Sequence, residues 1–224
     1  YKKILSANSD FVLGPRAIAK RGNGFEFQLN SAKDQNAFRA NLIYLNSDKE
    51  FDKRYPSHRN IGDQRWGYEI KSSSDLQFGK LNVDWADFSD IHFFRDVPGE
   101  SVNLNFQREE YFEQSISFQG TLEKLSYELG SIGFESSNPI LTNGYAKEPF
   151  INLEYRKNFR NLKFSSSLNF AEFSAETLHD YVGYQLHEGK YLLLIENPPE
   201  GSRLFMNNTL KTENSYKNFD IEAS

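Results

Sequence analysis

Apolar and polar residues alternate with a period of two along most of this chain. Phe25, Phe27 and Leu29 interleave with Glu26, Gln28 and Asn30, and Trp66, Tyr68 and Ile70 with Arg65, Glu69 and Lys71. Leu81, Val83 and Trp85 sit between Asn82, Asp84 and Ala86. Ile151, Leu153 and Tyr155 separate Asn152, Glu154 and Arg156, and Leu162, Phe164, Leu168 and Phe170 oppose Lys163, Ser165, Ser167 and Asn169. Successive strand side chains point to opposite faces, so each such segment builds one apolar and one polar face. The chain is predicted to be all-β.

Alternation alone fits a sandwich of two packed sheets as well as a barrel in lipid. The segments run to about nine to twelve residues, near the length a tilted transmembrane strand needs and longer than soluble strands usually are. Their polar faces carry full charges of both signs, which a wet lumen tolerates. Aromatics make up 15% of the 224 residues, while the mean hydropathy is −0.67. Tyr44, Trp66, Trp85 and Phe173 fall near predicted strand ends, where interfacial girdles belong. No apolar run approaches the length of a helical membrane span.

The predicted connections alternate long and short. Long stretches run over residues 47–63, 88–107, 135–147 and 174–201. Between them come short turns near Ser74 to Leu76, at Gln119-Gly120-Thr121 and near Lys157 to Arg160. Elaborated outer loops and clipped inner turns are the pattern of an up-and-down membrane barrel. The expected architecture is an antiparallel up-and-down transmembrane β-barrel section of about ten or eleven strands. An extra hairpin is expected inside the last long loop, from Tyr181–Gly183 and Lys190–Glu196. The chain opens YKKILSANSD and closes NFDIEAS, which reads as a cut piece of a longer wall.

The net charge of −5 argues against a non-specific nucleic-acid binder. With no cysteine, disulfides and thiolate metal sites are excluded. The histidines are His58, His92, His179 and His187, all in predicted loops. His179-Asp180 beside His187 and Glu188 has the ligand chemistry of a metal or acid–base pair, but not the spacing of a zinc motif. A hydrated loop accounts for it better. The same holds for the charged loop from Asp48 to Arg59, whose alternative role is to hold divalent ions. No catalytic residue, metal or cofactor is expected.

Several segments, in order, resemble the barrel of the LptD family of outer-membrane lipopolysaccharide-assembly proteins (the organic solvent tolerance protein family). They are Tyr1 to Gly14-Pro15 with the turn Arg21-Gly22-Asn23, then LIYLNSDKEFD (residues 42–52), then Arg65-Trp66. LNVDWADFSDIHFFRD (residues 81–96), Glu148-Pro149 and PPEGSRLFMNNTL (residues 198–210) follow. The resemblance implies that residues 1–224 are the N-terminal portion of a much larger barrel, one of on the order of twenty-six strands. The periplasmic jellyroll and the later strands of that family are absent from this sequence. It further implies a bacterial outer-membrane location and transport of lipopolysaccharide into the outer leaflet. The implied partners are an LptE-like lipoprotein plug and an LptA-like periplasmic Lpt bridge, the latter through the missing jellyroll.

By that resemblance Gly14 and Pro15 belong to a lateral gate, because proline cannot donate to a β-ladder and weakens the seam. A plain bulge is the alternative. The lumen-facing candidates are Glu26, Gln28, Asn30, Arg65, Glu69, Lys71, Asn82, Asp84, Asn152, Glu154 and Arg156. A solvated wall with mutual ion pairs is the simpler account of each. Two other classes stay open: a complete small outer-membrane barrel enzyme (protease or lipase) and a soluble carbohydrate-binding β-sandwich.

Overall fold

A computed structural model describes residues 1–55, 64–100, 102, 104, 111–137, 145–175, 184–187, 190–193, 200–212, 214–216 and 219–221. Eleven strands form one antiparallel sheet in sequence order: β1 (Lys2–Ser6), β2 (Ser9–Ile18), β3 (Gly22–Lys33), β4 (Asn36–Leu45), β5 (Arg65–Leu76), β6 (Gly79–Phe88), β7 (Tyr111–Leu122), β8 (Leu125–Ser136), β9 (Tyr145–Phe159), β10 (Leu162–Ala175) and β13 (Gly201–Thr212). Between β10 and β13 lies the hairpin of β11 (Tyr184–His187) and β12 (Lys190–Leu193), and β14 (Asn214–Tyr216) pairs with β15 (Phe219–Ile221). The sheet does not close on itself among the described residues. An all-β, up-and-down meander is therefore what the alternation builds, as the open wall of a barrel.

All strands of the large sheet except β1 span 10 to 15 residues. Connections alternate in length as expected, but the tight turns fall later than glycine and polarity signals place them. They are Asp34-Gln35, Gln77-Phe78, Glu123-Lys124 and Arg160-Asn161. Asp34, Glu123 and Arg160 hold φ of 54°, 52° and 38°, a left-handed backbone without glycine. Gly120, expected in a turn, lies inside β7. A Cβ there would come within 2.4 Å of the Phe78 carbonyl oxygen and of the Tyr127 hydroxyl. Its glycine answers a close approach, not a turn. Pro149 sits in β9 where residues 148 and 149 together oppose a single residue on each flanking strand, a bulge that spares the ladder.

The expected extra hairpin exists, with its first arm at β11; residues 181–183 and 194–196 of that expectation lie outside the described residues. The largest correction concerns the long loops. Residues 46–55 and 88–100 are folded segments rather than open loops. Each carries one short helical turn, α1 (Phe51–Arg54) and α2 (Phe93–Asp96), and folds back over the sheet. Ile43, Leu45, Ala86, Phe88, Phe93, Val97, Leu104 and Phe112 form a buried cluster there, the main apolar core among the described residues.

Candidate functional site

Register fixes which residues share a face. Cross-strand partners run Glu26–Ile43, Gln28–Asn41–Glu69, Asn30–Arg39–Lys71–Asp84, and Ser73–Asn82–Ser117–Gly130–Phe150. Following that parity, all eleven lumen-facing candidates lie on one face of the sheet. Phe27, Leu42, Tyr68, Ile116, Leu129, Ile151, Leu168 and Met206 lie on the other. This second face is apolar and in part strongly exposed: Met206 keeps 61% and Leu129 45% of its surface open. In an ordinary water-soluble sheet such a face would be covered.

The polar face is cross-linked by its own side chains. Gln28 donates to Asn41 at 2.9 Å, and Asn41 donates to Glu69 at 3.1 Å. Lys71 reaches Glu69 at 3.4 Å and Asp84 at 3.1 Å. Farther along, Asn152 donates to Glu128 at 3.0 Å. Polar groups satisfied in this way hold the wall rigid while leaving its surface hydrophilic.

Three of the candidates are not open to a lumen. Glu26 is fully buried: it pairs with Arg16 at 2.7 Å and accepts the amides of Glu100 and Val102 at 2.9 Å each. Glu69 is 1% exposed, within the network above. Arg65 is fully buried at the centre of a knot. Its Nε and Nη2 each donate to Asp90 at 2.8 Å, and its Nη1 donates to Asp48 at 2.7 Å and to Asp96 at 3.3 Å. Arg21, from the β2–β3 turn, donates to the same Asp48 oxygen at 2.6 Å, and the Arg65 guanidinium lies 4.4 Å from the Phe51 ring centre. The knot ties three connections to the first residue of β5. Asp48 is thus an interior anchor rather than a solvated loop charge.

These anchors escape a pattern search because the acids stand in loops that look merely polar. A signal was present: Leu42, Ile43, Tyr44 and Leu45 are apolar on both faces, which an open lumen does not need and a covering loop does.

Gly14 is buried on the polar face opposite Glu26, and Pro15 is exposed on the apolar face opposite Phe25. Leu13 and Tyr1 exchange both backbone bonds, at 2.8 and 2.7 Å, so the Leu13 amide points toward β1. Two residues on, the Pro15 nitrogen points the same way. The missing donor therefore falls on the edge away from β3, the side on which β1 pairs with β2.

Among the described residues no group of three or more His, Cys, Asp or Glu is placed to hold a metal ion. His92 stacks on Tyr55 with ring centres 3.9 Å apart; His58, His179, Asp180 and Glu188 lie outside the described residues, as does the side chain of His187.

No family model matches the chain. Among curated proteins it is similar to the LPS-assembly protein LptD of Pseudomonas aeruginosa (strain LESB58), 28% identical over 133 residues, covering 57% of this chain and 14% of that protein. It is also similar to the LPS-assembly protein LptD of Neisseria meningitidis serogroup B (strain MC58), 25% identical over 184 residues, covering 79% of this chain and 21% of that protein. The chain thus spans about a seventh to a fifth of the length of these relatives. Taken with the eleven-stranded antiparallel sheet and its two opposed faces, these matches make the chain similar to part of the LPS-assembly protein LptD.

Proposed function

We propose that residues 1–224 form an N-terminal portion of an LptD-like barrel wall in the bacterial outer membrane, across which lipopolysaccharide passes to the outer leaflet. The observation that carries this reading is the segregation of the sheet into one polar, hydrogen-bonding face and one exposed apolar face. A charged sugar moves along the first while the second stays in lipid. No covalent bond changes in such a step, so the protein acts as a conduit and not as a catalyst. The likeness to proteins named for LPS assembly supplies the cargo.

In this reading the lateral seam lies on the β1 side of β2, the side toward which Pro15 turns its nitrogen. Pro15 removes one rung on the edge facing away from β3, so acyl chains leave where pairing is weakest while the β2–β3 ladder stays whole. An LptE-like lipoprotein inside the barrel and an LptA-like bridge at its periplasmic side complete the assembly. The test is site-specific photo-crosslinking in cells carrying the full-length protein. A photoreactive residue at Asn152 or Asn169 on the polar face should capture lipopolysaccharide, and one at Leu129 on the apolar face should not. Absence of lipopolysaccharide adducts from every polar-face position would overturn the reading.

A further inference from the structure

On the polar face the side chain of Arg39 stands out for what it lacks. Its cross-strand neighbours are Asn30 on β3 and Lys71 on β5. Asn30 is engaged with Asp10 at 2.9 Å, and Lys71 is matched by Glu69 and Asp84. Arg39 has no carboxylate within ion-pair distance among the described residues, and its Nε is buried without a hydrogen-bond partner. Two like charges set directly opposite each other on one face are destabilising. A guanidinium so placed is a binding group in search of an anion.

The surroundings say which kind. Arg39 and Lys71 line a trough of about 500 Å³ toward the short-turn end of β3 to β7, together with Asn30, Ser73, Asn82 and Asp84. Phe38 and Val83 of the opposite face also border the trough, but on the polar face every lining group except Ala32 and Ala37 can hydrogen-bond. A tightly seated protein partner would meet apolar anchors at the centre of its contact. Hydroxyls and amides around an uncompensated guanidinium instead suit a hydrated sugar carrying phosphate.

We propose that Arg39 is a waypoint that binds the phosphate of a glycolipid headgroup inside the wall. The site rests on the cargo reading above and adds a place where the anionic end of that cargo is held. It lies on β4, two strands from β2, so a headgroup bound there keeps its acyl chains within reach of the seam at Pro15.

The experiment uses the full-length protein in cells, with a photoreactive residue at Ser73, which lines the same trough. Lipopolysaccharide adducts are expected from the parent protein. They should fall about tenfold with Arg39→Gln, the loss of one charge-assisted contact, and survive Arg39→Lys. Cells whose lipid lacks the lipid A phosphates should show the same fall with Arg39 intact. Native-like migration of the unheated barrel on gels establishes that each variant is folded. If adducts at Ser73 persist at full yield in Arg39→Gln while Asn152 and Asn169 also capture lipopolysaccharide, the waypoint is wrong and the conduit stands. A protein adduct at Ser73 in place of lipid would reassign Arg39 to a plug contact. Loss of lipid adducts at all three positions in the parent protein would remove the cargo reading itself.

Discussion

Arg65 holds Asp90 through two parallel hydrogen bonds of 2.8 Å, and neither side chain touches water. A guanidinium matches a carboxylate in this forked geometry and an ammonium does not. With Asp48 and Asp96 on the third nitrogen, one residue at the start of β5 fastens both folded-back loops.

Removing that residue leaves three buried acids short of a cation. Arg65→Met is expected to cost about 3–5 kcal/mol, the usual result of breaking a buried pair from one side. Arg65→Lys should recover little of it. The check is thermal unfolding of the full-length barrel in detergent micelles, read by the shift in gel mobility, alongside protease cleavage in residues 46–55. Unchanged melting and an uncut loop would mean the knot does not secure the loops.

The second loop docks through shape. A Cβ on Gly67 would lie 2.5 Å from Cε1 of Phe93, a ring that is itself fully buried. Gly67→Ala should therefore push α2 off the sheet at a cost of about 1–3 kcal/mol. Combining it with Phe93→Ala should cost less than the two single changes summed, because the clash is gone. A double-mutant cycle on the same melting assay decides this, and strict additivity would contradict the contact.

Glu26 does for Glu100 and Val102 what Arg65 does for the preceding segments. It faces Arg16 and two loop amides with no water to replace any of them. Glu26→Ala should destabilise by about 3–5 kcal/mol by stranding the Arg16 charge. Glu26→Gln keeps the shape and should lose less. Equal losses in the two variants would show that the carboxylate charge is not what the site needs.

How far the sequence was legible follows from where each signal comes from. Strand identity and facing are local properties, and Glu26, Gln28 and Asn30 declare them by alternation alone. All eleven candidates share one face of the sheet for that reason. Turn positions are less visible, since Asp34, Glu123 and Arg160 take left-handed backbone without a glycine to announce it, while Gly120 is a glycine for packing reasons. Least visible are contacts between loops. Asp48, Asp90 and Asp96 meet Arg65 across 17, 25 and 31 residues of chain, and nothing in their local pattern distinguishes them from solvated acids.

The two faces of β7 allow the membrane reading itself to be tested at adjacent positions. Ile116 lies mid-strand on the apolar face, where 43% of its surface is open, and Ser117 beside it points to the polar face. Arginine at the bilayer midplane of a barrel costs about 2–4 kcal/mol on the lipid side and little in a wet interior. Ile116→Arg is therefore expected to reduce the amount of folded protein recovered from outer membranes sharply, and Ser117→Arg to leave it nearly unchanged. Both are read by immunoblot of unheated membrane samples. The reverse outcome would turn the wall inside out. Equal tolerance would mean that the apolar face does not meet lipid, because a position in contact with acyl chains has no water or counter-charge with which to shelter a guanidinium.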